Sequence, residues 1–259
     1  MSQNPSKNDF QKRSIDLWSE KASEWDAWTG KDGDANRRFN SDPVLWRMLG
    51  DVQNLYVLDA GCGTGYLSIA LARRGAKVIA VDQSEQMISI TRKRAAEAGV
   101  ELTTYINSTC LLSDVQPESV DKVVSNYVLM DLADLDTACR EQFRVLKRNG
   151  KAVFIFSHPC FCPPQIPDTS EDGSARFTWK QSYFEEVAVE QEWGKFSTPF
   201  ISYHRPLRNY WKAFLEAGFS VLDFDEPVLD MSLESQLEPS RFQRFRRFPY
   251  SVAFLLNKA

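Results

Sequence analysis

Histidine is scarce in this chain, with only His158 and His204 among 259 residues. A cluster of imidazoles for metal or proton chemistry is thereby excluded, and each histidine has to be weighed by its place. Cysteine is sparse too: five residues at irregular positions, an odd number that makes no disulfide framework. No stretch approaches the roughly 18 to 20 apolar residues of a membrane span. The opening "MSQNPSKNDFQKRS" has no apolar core of the signal-peptide kind, so the expectation is a cytoplasmic protein with no membrane partner. The net charge of only -4 gives no general attraction to nucleic acid or anionic lipid. Internal repeats and low-complexity tracts are missing.

What is present is ordinary globular composition, 43% hydrophobic and 25% charged, in a length that suits one decorated α/β domain. In residues 1–50, Ile15, Trp18, Ala22, Trp25 and Trp28 recur at helical spacing up to Gly30 and predict one amphipathic helix. A loop, "KDGDANRRFNSDP", follows, and Pro43 opens a second short helix. From Leu55 apolar runs and helical patterns alternate: "LYVLDA", "AKVIAVD", "ELTTYI", "SVDKVVSN" and "KAVFIFS" read as strands. Between them lie helices, one capped by Ser84 and closed by Gly99, and one over "LADLDTACREQFRVLKRNG". This alternation implies a parallel sheet with helices on both faces. Residues 158–205 break the rhythm with prolines and aromatics and read as an insertion. "PLRNYWKAFLEAGF", "SVLDFDEP" and "PYSVAFLLNKA" then resume it as a helix and two strands, within 206–259.

The first strand feeds its helix through "DAGCGTG". Three alternating glycines, Gly61, Gly63 and Gly65, permit a tight turn and close approach of a ligand to bare backbone. Dinucleotide binders space their glycines G-x-G-x-x-G; here the third comes one residue early and Tyr66 takes its place. Asp59 ends the strand just before the loop, a poor neighbour for a pyrophosphate and a good one for an ammonium. Asp82 ends the next strand, where a carboxylate accepts hydrogen bonds from ribose hydroxyls. These features describe a nucleoside ligand with a cationic tail and no phosphate.

"VLDAGCGTGYLSIALARRGAKVIAVDQSEQMI" resembles the glycine motif and second strand of the class I methyltransferases that use S-adenosylmethionine. "VDKVVSNYVLMDLADLDTACREQFRVLKRNGKAVFIF" is similar to the family's later strand-helix-strand region. The resemblance covers roughly residues 52–157. It implies a Rossmann-like, doubly wound seven-stranded α/β sheet with an antiparallel last strand. The amino-terminal 50 residues would form a helical cap, 51–157 the cofactor-binding half, and 158–205 a substrate lid after the fifth strand. It implies S-adenosylmethionine as cofactor and S-adenosylhomocysteine as product. Asp59, Gly61, Cys62, Gly63 and Gly65 would line the methionine side, Asp82 with Gln83 and Met87 the nucleoside. Where relatives carry an acidic residue near adenine this chain has Ser108, Thr109 and Cys110, which leaves adenine contacts to backbone groups. Asn126 follows the fourth strand, on the cofactor side.

Methyl transfer from a sulfonium is an in-line displacement that rests on alignment, and a base is required only where the nucleophile holds a proton. His158, at the end of the fifth strand, and His204, before the next helix, are candidate bases; each could instead shape a turn or cap. Tyr127 could offer its ring face to a cation. Asp131 stands where many relatives have a histidine and could hold an amine. His158, Cys160 and Cys162 in "HPCFCPP" fall short of the four ligands zinc wants, so no metal is assigned. The aromatics outside the sheet pattern, among them Phe161, Phe177, Trp179, Trp193, Phe196 and Phe200, suggest a lid over a flat or apolar small acceptor. "SRFQRFRRFPY" is the one basic aromatic run, and nucleic acid is not the expected partner. The expected function is S-adenosylmethionine-dependent methylation of an N, O or C atom of a small metabolite. Alternatives are a protein or RNA methyltransferase, a non-catalytic cofactor-binding module, and, behind both, a Rossmann oxidoreductase.

Overall fold

The apolar runs that alternate with helical patterns fold into a central sheet whose inner strands are buried on both faces. A computed structural model describes residues 7–161, 168–169, 175–176, 178, 181–193, 195–229 and 246–259. Cys162, Phe177, Trp179 and most of the basic aromatic run lie outside these residues.

The sheet strands are β1 (Tyr56–Ala60), β2 (Lys77–Asp82), β3 (Thr103–Ile106), β4 (Val120–Asn126) and β5 (Leu146–Ser157). After the short pair β6 (Asp168–Thr169) and β7 (Ala175–Arg176) and the hairpin β8 (Val187–Gln191) and β9 (Phe200–His204), β10 (Ser220–Asp225) and β11 (Ser251–Asn257) return to it. The order is β10-β11-β5-β4-β1-β2-β3, parallel except for β11, which runs antiparallel to both neighbours. This is the Rossmann-like arrangement with an antiparallel last strand that the sequence led us to expect.

Alternate residues of each strand feed two cores, as period-two geometry requires. Phe154 and Phe156 of β5 pack with α6 (Leu135–Val145) and α7 (Leu207–Ala217) on one face. Val153 and Ile155 pack with α3 (Asp42–Leu49), α4 (Tyr66–Arg73) and α5 (Glu85–Ala98) on the other. Ser84 caps α5 through its hydroxyl, which accepts from the Met87 amide, and Gly99 closes it in the left-handed conformation.

Three local expectations are corrected. The amino-terminal pattern is two helices, α1 (Lys7–Glu20) and α2 (Ala22–Thr29), because Lys21 leaves the helical path. Its buried side chain turns inward, where Nζ donates to the Pro199 carbonyl and lies 3.8 Å from the centre of the Phe200 ring. The supposed loop before Pro43 contains a π-helical turn, Arg37–Ser41. The helix α6 ends at Val145, since fully buried Leu146 pairs with Val120 and draws "LKRNG" into β5. The insertion after β5 reaches back to the cap, where Ile201 and Tyr203 of β9 pack on Leu17 of α1.

Candidate functional site

The carboxyl ends of β1, β2 and β4 open on one side of the sheet, and the glycine loop is clamped there. The Gly61 and Cys62 amides both donate to the Val81 carbonyl of β2, at 2.8 and 2.9 Å. All three loop glycines hold positive φ, yet they face different things. A Cβ on Gly61 would lie 2.4 Å from the Val128 side chain, and one on Gly65 2.7 Å from Thr91. On Gly63 the nearest atom would be Trp25 Nε1 at 3.8 Å. Gly61 and Gly65 thus serve chain packing, and Gly63 presents bare backbone to the cleft.

That cleft is lined by Asp59, Gly61, Cys62, Gly63, Asp82, Gln83, Met87, Thr109 and Asn126 of the sequence candidates. Gly65, Ser108 and Cys110 do not line it: Gly65 sits behind the loop, and the Ser108 hydroxyl accepts from the Cys110 amide. Asp82 is anchored at the rim, accepting from the Gly63 amide at 3.0 Å and the Ser84 amide at 2.9 Å, and burial raises its pKa. Asp59 accepts from the Ser68 hydroxyl at 2.6 Å; burial pushes its carboxyl up to about 7. Both are poised to gain from a cationic or hydroxyl-bearing ligand that restores what burial removed.

A second cavity adjoins the first and is lined by rings from the cap and the insertion, among them Trp28, Trp193, Phe196, Phe200 and Tyr203, and by Tyr250 just before β11. Trp18 meets Trp25 edge-on at 5.0 Å and Phe200 at 5.1 Å, so cap and hairpin share one aromatic cluster. The two cavities have five lining residues in common: Trp18, Trp25, Arg37, Tyr127 and Asp131.

Tyr127 follows β4 at φ +58, a costly conformation for a bulky side chain. Its hydroxyl accepts from Asn36 Nδ2 at 2.6 Å and lies 2.7 Å from Ser251 Oγ, and burial raises its pKa to about 12, which leaves the ring as its contribution to the shared wall. Asp131 sits on the short 3-10 turn Leu129–Asp131, its carboxyl pushed up to about 8 by burial against the pull of Lys21 and Arg37. His158 and His204 line the second cavity and not the first. His158 Nδ1 accepts from the Cys160 amide at 3.0 Å, so Nε2 carries the proton and faces Glu226 at 2.8 Å. Burial lowers its pKa. His204 Nε2 donates to the Tyr183 carbonyl at 3.0 Å.

Sequence reasoning missed Arg37 and Lys21. Arg37 lies over the rings of Tyr127 at 4.8 Å and Trp25 at 5.1 Å, paired with Asp34. Burial works against its charge and Asp34 outweighs it, so the pKa is raised. The signal was there in "DANR", an acid three residues before an arginine on a helical turn. Lys21 offered none, since its role depends on a strand some 180 residues away in sequence.

Comparison with known proteins bears on this geometry. The family model described as "Methyltransferase domain" matches residues 58–154. A ubiquinone biosynthesis O-methyltransferase of Idiomarina loihiensis is 34% identical over 134 residues, 49% of this chain and 54% of that one. The chain spans about half the length of that curated relative. A solved structure from Listeria monocytogenes is 25% identical with a TM-score of 0.70, covering 84% of this chain and 96% of that one. An S-adenosylmethionine-dependent methyltransferase from Mesorhizobium loti shares the fold at 24% identity and a TM-score of 0.73, over 88% of this chain and 100% of that one.

Proposed function

We propose that this chain is a class I S-adenosylmethionine-dependent methyltransferase that methylates an N, O or C atom of a small molecule held in its aromatic cavity. S-adenosylhomocysteine is the second product.

The residues of the first cavity suit that cofactor. Asn126 Oδ1 and Arg37 Nε are buried there without a hydrogen-bond partner among the described residues, and the Gly63 face is open. Asp82 would hold the ribose hydroxyls, with Gln83, Met87 and Thr109 along the nucleoside. Asp59 and Asn126 Oδ1 would take the ammonium, and Arg37 Nε the carboxylate of the amino-acid end. When bound, the cofactor supplies an electrophilic methyl group on a positively charged sulfur.

The observation that carries the reading is the wall shared by the two cavities. Trp18, Trp25, Arg37, Tyr127 and Asp131 border both, so a group passing from one ligand to the other crosses between them. Aromatic rings there exclude water and align a flat acceptor by its faces. The cap and the β8–β9 hairpin bound the second cavity, which favours a small acceptor over a protein or RNA.

Calorimetric titration with S-adenosylmethionine, S-adenosylhomocysteine and NAD, alongside Asp82→Ala, tests the reading. Micromolar binding of the first two, lost in the variant, supports it, and a product assay over aromatic alcohols and amines then separates an enzyme from a binding module. Binding of NAD alone, or of none, overturns it.

A further inference from the structure

Most charged groups bordering the two cavities have partners of their own. Arg37 pairs with Asp34, His158 with Glu226, and Arg205 donates to the carbonyls of Leu132 and Ala133. Lys21 donates to Pro199, Asp59 accepts from Ser68, and Asp82 from two amides. Asp131 differs: its carboxylate is influenced by burial and by the charges of Lys21 and Arg37, and no described group donates a hydrogen bond to it. It lies in the shared wall, where nucleophile and methyl group must meet.

A nucleophile that holds a proton needs somewhere to send it. Of the five wall residues, Trp18 and Trp25 have no basic atom, Arg37 stays charged, and the Tyr127 hydroxyl is engaged by Asn36 and Ser251. Asp131 alone in the wall offers a free lone pair.

We propose that Asp131 is the proton acceptor of the transfer, and that the acceptor molecule presents an aromatic O–H or N–H group to it. This rests on the reading of S-adenosylmethionine as cofactor. The heteroatom–hydrogen bond breaks toward the Asp131 carboxylate, which takes the proton, while the heteroatom lone pair forms the bond to the methyl carbon. The carbon–sulfur bond breaks with its electrons kept by sulfur, which becomes a neutral thioether.

The surroundings make this base depend on the cofactor. Asp131 faces Lys21 from the break between α1 and α2, Arg37 from the π-helical turn, Tyr203 from β9 and Tyr210 from α7. With burial holding its pKa near 8, the resting carboxyl is largely protonated at neutral pH, and a positive sulfur at the wall favours the ionised form. Binding of the sulfonium therefore releases a proton and leaves a carboxylate ready to accept another.

Titration calorimetry at about pH 7.5 in phosphate and in Tris, buffers of different ionisation enthalpy, counts protons released on binding. Asp59 and Asp82 face parts common to S-adenosylmethionine and S-adenosylhomocysteine, so their contributions cancel in the difference between the two ligands. The wild type is expected to release more protons with the sulfonium, and Asp131→Asn to lose that excess while binding S-adenosylhomocysteine within a few-fold. Equal release for both ligands, or an excess that survives in Asp131→Asn and so belongs to Lys21, overturns the assignment. With sinefungin present, an analogue that carries an ammonium where the cofactor carries its sulfonium, 2-naphthol should bind several-fold more tightly than 2-methoxynaphthalene, and Asp131→Leu should erase the difference. Equal binding of the two probes to the wild type overturns the acceptor class. Failure of both cofactor ligands to bind would instead remove the reading beneath it.

Discussion

Asn126 donates to the Tyr66 hydroxyl at 2.6 Å, and that hydroxyl donates onward to Asp42 at 3.2 Å. The end of β4, the start of α4 and the start of α3 are thereby tied together behind the glycine loop, at the residue that replaces a dinucleotide binder's third glycine. Tyr66→Phe leaves the Asn126 amide and Asp42 without that partner in a buried setting. We expect a loss of about 1 to 3 kcal/mol, read as a lower denaturation midpoint with an unchanged slope.

The three loop glycines should separate by what a Cβ would strike. Gly61→Ala and Gly65→Ala meet Val128 and Thr91 inside contact distance, so both should destabilise the fold beyond the roughly 1 to 2 kcal/mol of left-handed strain. Gly63→Ala incurs the strain alone, yet it fills the open face of the cleft. Thermal melts should place it above the other two, and titration should find its affinity for S-adenosylhomocysteine reduced.

Much of this was legible in the chain because local rules and the global fold agree. Apolar runs with capped helices between them defined the sheet, and "DAGCGTG" with Asp82 marked the cleft. The parts that were not legible depend on contacts between distant segments. Lys21 breaks a regular helical pattern to reach Pro199, and Leu146 abandons a helix to pair with Val120. Gly65 fits the motif but faces Thr91, which a spacing argument cannot see.

Stability without ligand should fall as pH rises from mildly acidic toward 8. Burial raises Asp42 to about 6, Asp59 to about 7 and Asp131 to about 8, against roughly 3.9 in an unfolded chain. Each folded carboxyl holds its proton more tightly, so its favourable contribution is complete below the unfolded value and is lost as pH climbs through the folded one. Lys21, lowered to about 8 by burial, acts in a different window: its penalty is relieved between there and its ordinary value near 10.5. Melting temperatures between pH 5 and 8.5 should decline, and Asp131→Asn should flatten the upper part of the slope. A rising profile would contradict the burial of these acids.

His158 sits in the second cavity with both ring nitrogens committed, Nδ1 to the Cys160 amide and Nε2 to Glu226. A base so occupied must break a hydrogen bond before it can accept a proton. His158→Gln should therefore lower the melting temperature while preserving affinity for S-adenosylhomocysteine. Once an acceptor is known, kcat should fall far less in this variant than in Asp131→Asn. The reverse ranking would return the proton-accepting role to the histidine.

Phe200 joins the insertion to the cap, meeting Trp18 at 5.1 Å, Trp193 at 4.9 Å and Phe196 at 5.0 Å, with Lys21 over its face. The sheet cores do not include it, so its loss should be felt locally. In Phe200→Ala the ring cluster loses its centre and the Lys21 ammonium loses the face that offsets its burial. Amide exchange of β8 and β9 should then accelerate strongly, while β1, β4 and β5 keep their protection. Because Trp18 and Trp25 border both cavities, ligand affinity should weaken along with the hairpin. Uniform acceleration across the sheet would mean instead that the hairpin and the core open as one cooperative unit, and that cap and insertion cannot part without unfolding the domain.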